Sequence, residues 1–243
     1  MPRKAPASQN SESEEDQINP RPARAARRVS LAPDDLVRLA LKACLIARDA
    51  AFNLRDLLTT SSRMAFLAIK DCEKELDQLE RQIDERMPEA ITRVNEARAR
   101  QLLSSLKSTT DLERIGDLLM SVALRVQART ARIPASDTRQ LVEMSSVLRE
   151  MLDLMHQGFS NLDLDCARKV LQMDKDIDRI CHELFQKHLA ETVPQGDTSG
   201  FEILLMAQAL ERAGDHTTNL AEDLYSLIEG RSVRHLPKRK AAP

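Results

Sequence analysis

Residues 211–215 read ERAGD and residues 113–117 read ERIGD. Four residues is slightly more than one helical turn, so Glu211 and Asp215 share one helix face, as do Glu113 and Asp117. Like charges at this spacing cost a few tenths of a kcal/mol, and glycine inside a helix costs about 1 kcal/mol relative to alanine. Both penalties recur at both places, so something at these positions must compensate.

The surroundings of each motif are helical. Around ERIGD, Leu102, Leu106, Leu112, Ile115, Leu119, Val122 and Val126 recur at spacings of three and four, which predicts a helix from about Asn95 to Arg129. Two further helices precede it. Pro33-Asp34-Asp35 leads into Leu36, Leu39, Ala43, Ile46 and Ala50, and a second run carries Ala65, Ala68, Ile69, Cys72, Leu76, Leu79, Ile83 and Met87 until Pro88 interrupts it.

The pattern restarts after Pro134, where Ser136 or Asp137 can cap a helix through Leu141, Met144, Val147, Leu148, Met151, Leu154 and Met155. A fifth helix follows the break at FSNLDLD, through Ala167, Val170, Leu171, Ile177, Ile180, Leu184 and Leu189. TVPQGDTSG reads as a loop, and a sixth helix spans about Phe201 to Glu229. Glu211 lies 98 residues after Glu113, the length of one three-helix unit. The chain is therefore expected to be all-α, with two tandem, symmetry-related three-helix bundles over residues 32–131 and 132–231.

Composition agrees. Aromatic residues make up 2% of the chain, with no Trp and a single Tyr, which disfavours strands. A net charge of -2 argues against a global preference for nucleic acid or an anionic membrane. No apolar run approaches the roughly 20 residues of a membrane span, and no secretion signal is legible, so a cytoplasmic location is expected. Cys44, Cys72, Cys166 and Cys181 form no Cys-x-x-Cys pair and read as small buried apolar residues in a reducing compartment. Residues 1–31 and 232–243, rich in proline and charge, read as a disordered N-terminal tail and a basic C-terminal tail.

A second pair of acidic sites matches across the repeat. EKELD places Glu73 and Asp77 four residues apart, and DKDID places Asp174 and Asp178 likewise. If the second and third helices of each half pack with these faces opposed, four carboxylates converge and need a cation, basic side chains or protons. Carboxylate-only clusters suit iron(III), manganese, magnesium or calcium, and accept zinc. Gly116 and Gly214 would admit a neighbouring backbone or leave room for an ion.

DLERIGDLLMSVA at 111–123 and ALERAGDHTTNLAEDL at 209–224 resemble the paired signature of the PhoU family of bacterial phosphate-signalling regulators, and EGRSVRHL at 229–236 resembles that family's ending. The resemblance covers about residues 34–236. It implies two symmetry-related three-helix bundles and multinuclear iron or zinc clusters on Glu/Asp-x-x-x-Asp motifs. These fall here on Glu73, Asp77, Glu113, Asp117, Asp174, Asp178, Glu211 and Asp215. His216, Asn219 and Glu222 match the family's continuation and are added as possible metal or contact residues, whereas Leu118, Ser121 and Leu124 stand in the first half, so metal binding ranks higher in the second.

The resemblance implies a non-catalytic negative regulator between the ATPase subunit of a phosphate ABC transporter and a sensor histidine kinase, commonly a homodimer, with no nucleic-acid partner and only indirect membrane contact. An accessory role with another phosphate transporter, or in metal homeostasis, fits the same family. A di-iron carboxylate enzyme would need Glu-x-x-His motifs, and the sequence has only Asp153-x-x-His156. Phosphate-cradling glycine loops and nucleophile elbows are absent, and the five histidines are dispersed. His156, His182, His188 and His235 read as helix-surface or helix-end residues.

Overall fold

Each apolar run becomes one helix in the computed structural model, which describes residues 33–129, 132–190 and 199–230. The helices are α1 (Pro33–Thr60), α2 (Arg63–Ile91), α3 (Glu96–Ala128), α4 (Ala135–Asn161), α5 (Leu164–Ala190) and α6 (Ser199–Glu229). Among the described residues there is no strand. Both tails lie outside the described residues, as do residues 192–198 of the expected loop; Ser199 and Gly200 already belong to α6.

Local chemistry sets most boundaries. Ser62 caps α2 by accepting from the Ala65 amide at 3.3 Å, and Asn95 caps α3 by accepting from Arg98 N–H at 3.0 Å. Two expectations need correction. Pro88 does not end α2, which runs on to Ile91; proline forfeits one hydrogen bond in the last turn, and its exposed position leaves that carbonyl to water. Neither Ser136 nor Asp137 caps α4, which starts at Ala135 behind Pro134 without a side-chain cap. Asp137 instead turns inward and meets Lys187 and His188 at the end of α5.

Short connections fold each half back on itself, so that α1, α2 and α3 all touch one another, as do α4, α5 and α6. The halves then join through α1 on α4 and α3 on α6. One core runs across the junction, taking Leu54 and Leu112 from the first half and Leu148 and Leu210 from the second. At about 1.5–3 kcal/mol per buried leucine, this shared core is the main tie between the repeats.

Alanines at 43, 47, 50 and 51 line the buried side of α1. Small side chains let the α4 backbone come close, and fully buried Ser145 donates to the Ala51 carbonyl at 2.8 Å. Arg48 reaches Asp153 at 3.1 Å and Arg125 reaches Glu202 at 2.7 Å across the same junction. Among the described residues no helix is long and apolar enough to cross a membrane. The four cysteines are free thiols; Cys44, Cys166 and Cys181 are buried and Cys72 is half-buried.

Candidate metal centre

In the first half α2 packs on α3, and the acidic faces of the two helices meet. Asp77, Glu80 and Glu113 each place a carboxylate oxygen within 4.8 Å of the others. Oxygens bound to a single ion at about 2.0–2.6 Å cannot be further apart than about 5.2 Å, so these three can share a hard cation. Glu113 is the innermost: its Oε2 is buried and accepts no hydrogen bond. Its pKa is raised, first by burial, then by Asp117, Glu80 and Asp77, while Arg114 acts the other way.

Local cations partly balance the cluster. Arg114 lies 3.5 Å from Glu113 Oε2 and 3.5 Å from Asp117 Oδ2, and Arg81 pairs with Asp77. Of the expected first-half residues, Asp77 and Glu113 meet in the triad, Asp117 flanks it, and Glu73, a turn earlier on α2, is outside it. Glu80 takes part instead. It follows Asp77 by three residues on the same helix face, a spacing as good as four for bringing side chains together.

The second half repeats the helices with different chemistry. Glu211 has a raised pKa because of burial, then Asp215 and Asp178, with Arg212 opposing. Asp174, 8% exposed, lies against α6. The 101-residue offset that carries Glu73 onto Asp174 and Asp77 onto Asp178 carries Glu80 onto Cys181. Burial, Glu211 and Asp178 push the Cys181 thiol up to about 11, so a neutral sulfur stands in the place of a carboxylate. Among the described residues the compact three-carboxylate group is in the first half, the one ranked lower from sequence.

The glycines serve side-chain packing. A Cβ on Gly116 would come 2.6 Å from Leu76 Cδ1, and one on Gly214 would come 3.2 Å from both Asp174 Oδ1 and Ile177 Cδ1. Leu76 and Ile177 are related by the same 101-residue offset. Each glycine is a socket for a knob from the neighbouring helix, which accounts for half of the repeated motif without an ion or an approaching backbone.

His216 and Asn219 are engaged elsewhere. His216 Nδ1 is 2.8 Å from Asp111 Oδ1, and Asn219 Nδ2 donates to the same oxygen at 3.1 Å, joining α6 to α3. Asp111 is not singled out by the acidic spacing, since two residues from Glu113 is the opposite side of the helix. The signal available for it was the comparison of repeats: the 98-residue offset puts Ala209 at its equivalent, just where Leu118 and Ser121 replace His216 and Asn219. Glu222 is half-buried and belongs to neither group; its backbone carbonyl accepts from Ser226 Oγ at 2.9 Å. His188, expected at a helix surface or a helix end, lies in the last turn of α5 with its side chain turned in, 3.3 Å from fully buried Asp137.

The sequence model of the PhoU domain matches twice, over residues 40–126 and 141–224. This chain belongs to the PhoU family. A phosphate-specific transport system accessory protein PhoU homolog of Rhizobium meliloti is 32% identical over 189 residues, covering 74% of this chain and 78% of the relative. The Pseudomonas aeruginosa protein of the same name is 30% identical over 173 residues, covering 69% and 72%. The crystal structure of PhoU from Pseudomonas aeruginosa superposes with a TM-score of 0.71 at 25% identity, over 81% of this chain and 97% of that one. The phosphate transport system regulatory protein PhoU from Streptococcus pneumoniae gives 0.75 at 22% identity, over 83% and 97%, and supports the fold alone. The PhoU fold here is thus the six-helix arrangement just described, with its acidic faces at the α2–α3 and α5–α6 contacts.

Proposed function

We propose that this PhoU-family protein is a non-catalytic, metal-binding regulator of phosphate uptake. In this reading it restrains the phosphate-starvation response by linking the ATPase subunit of a phosphate ABC transporter to a sensor histidine kinase, as a homodimer in the cytoplasm. The observation that carries it is the double PhoU-domain match on a chain whose α2–α3 contact gathers Asp77, Glu80 and Glu113. The names of the curated relatives supply the phosphate-transport context.

Asp77, Glu80 and Glu113 would hold the ion, and their all-oxygen donor set suits iron(III), manganese or magnesium before softer metals. An ion there would neutralise carboxylates whose charge burial and mutual repulsion oppose, and would tie α2 to α3. That would make the outer face of the bundle rigid for a partner to dock on.

The test pairs two measurements. Deleting the gene in its own host should raise a phosphate-starvation reporter in phosphate-rich medium, and the wild-type chain should restore repression. Co-purification should recover the transporter ATPase and the kinase from the same cells. A deletion strain with normal repression, and no transporter subunit recovered, would overturn the assignment.

A further inference from the structure

A cleft of about 710 Å3 opens where the C-terminal ends of α1 and α3 meet the connection between the repeats and the start of α4. Its lining is aliphatic at Leu58, Val126 and Ile133, hydroxylic at Thr59, Thr60 and Ser61, and cationic at Arg129 and Arg132. Among the described residues no carboxylate lines it. The cleft therefore holds two positive charges that its own lining does not balance, which favours an anionic occupant.

The two arginines differ in how far the fold uses them. Arg129 Nη1 donates to the Ser199 carbonyl at 3.2 Å, which anchors the guanidinium, while its Nε is buried and has no hydrogen-bond partner. A buried donor left unpaired costs about 1–3 kcal/mol, and an acceptor brought into the cleft would remove that cost. Arg132 is exposed and enters no ion pair among the described residues. Ala135 and Thr138 add the first turn of α4, whose amides no side chain caps, a further set of donors suited to a phosphate. The acid of that turn, Asp137, is turned to Lys187 and His188.

Size and lining narrow the ligand. Small-molecule sites occupy about 300–1,000 Å3, so this cleft has room for an organic body and not only a bare oxyanion. Planar guanidinium groups beside helix amides suit phosphate. Aliphatic side chains suit a flat base better than a sugar alone, and the Thr59 and Thr60 hydroxyls, which donate to the carbonyls of Arg55 and Asp56, keep oxygen lone pairs for ribose hydroxyls. We propose that the cleft binds a nucleoside monophosphate. Its phosphate accepts from Arg129 and Arg132, and its base lies on Leu58, Val126 and Ile133. The ligand would touch α1, α3 and α4, and so both repeats, with none of the acidic triad in its lining.

The test is isothermal titration of the full chain with AMP at low salt in EDTA, which keeps metal-bridged phosphate off the α2–α3 face. AMP is expected to bind saturably at one site per chain, with inorganic phosphate and adenosine each at least about tenfold weaker, since each lacks one half of the contact. Arg132→Glu, a surface change that should leave the melting temperature alone, should weaken AMP about thirtyfold, and Arg132→Lys, which keeps the charge and loses the planar fork, about threefold. Phosphate binding as tightly as AMP would overturn the nucleotide assignment, and adenosine doing so would overturn the role of the arginines. An AMP affinity unchanged by Arg132→Glu would place the binding outside this cleft, and no saturable heat from the wild-type protein would overturn the site.

Discussion

The two acidic sites share a backbone and differ in their donors. On the first, α2 brings Asp77 and Glu80 to Glu113; on the second, α5 brings Asp178 to Glu211 but offers Cys181 where Glu80 would be. The knob beneath each site has the same history, Leu76 seated at Gly116 and Ile177 seated at Gly214, yet in the second Asp174 shares the socket. Duplication preserves what packing requires, the glycine and the apolar knob, and lets the polar shell diverge. Two identical-looking motifs need not be two equal sites.

Breaking the shared part should cost most. Leu76→Ala empties the socket at Gly116 and should destabilise the protein by about 3 kcal/mol in chemical denaturation. Gly116→Val, which overfills it, should cost about 2 kcal/mol. Because the two side chains occupy one space, the double variant should be less damaged than the sum of the singles; strict additivity would show that the socket is not what the glycine provides.

Breaking the divergent part should separate the halves. Glu113→Gln and Glu80→Gln should each weaken manganese binding by isothermal titration about tenfold or more, through loss of a ligand charge. Cys181→Glu, which rebuilds the first-half pattern in the second, should raise the number of manganese ions bound per chain. If Glu113→Gln leaves binding intact while Glu211→Gln abolishes it, the ranking drawn from the second-half motif alone stands, and the geometric triad is a solvated acidic face.

How much of this was legible depended on whether a residue acts along its own helix or across to another. Helix periodicity is local, so α1–α6 and most of their buried faces followed from spacing. Pro88 misled because a proline in the final turn of a helix removes only one hydrogen bond, which water replaces. Asp137 misled because its position looked like a cap, while Lys187 and His188, 50 and 51 residues away, give it a better-paired buried place. The ER-x-GD spacing found Glu113 and Glu211, but Glu80 joins through α2–α3 packing, and Asp111 through α3–α6 packing. Neither crossing is written in a one-helix pattern.

Asp111 offers a smaller test of the same divergence. Its carboxylate is the shared partner of His216 and Asn219. Asp111→Ala would leave two half-buried polar groups facing a methyl and should cost about 1–2 kcal/mol. Ser121→Ala, at the first-half equivalent of Asn219, should fall within about 0.5 kcal/mol of wild type, because Ser121 donates to the Leu118 carbonyl of its own helix and not to another element among the described residues.

The smallest expected effect is a pH dependence, and its sign is distinctive. Glu113 and Glu211 both have folded-state pKa values above their ordinary one, burial being the largest cause and neighbouring carboxylates the next. A carboxyl with a raised folded pKa takes up a proton more readily in the native state than in the unfolded chain. Its ionised form therefore costs native stability above the folded pKa, and that cost disappears as pH falls through the folded pKa. In metal-free protein, Glu113→Gln and Glu211→Gln should raise the melting temperature at pH 7, by a degree or so each, and the gain should shrink as pH is lowered toward the ordinary glutamate value near 4.3. Saturating manganese should reverse the order at pH 7 for Glu113→Gln, because the cation then stabilises the charge that proton uptake would have removed, and the reversal should weaken in acid as protons compete for the same oxygens. A variant-to-wild-type difference that stays constant across this pH range, with and without the ion, would mean that neither carboxyl is raised in the folded state and that neither holds the ion.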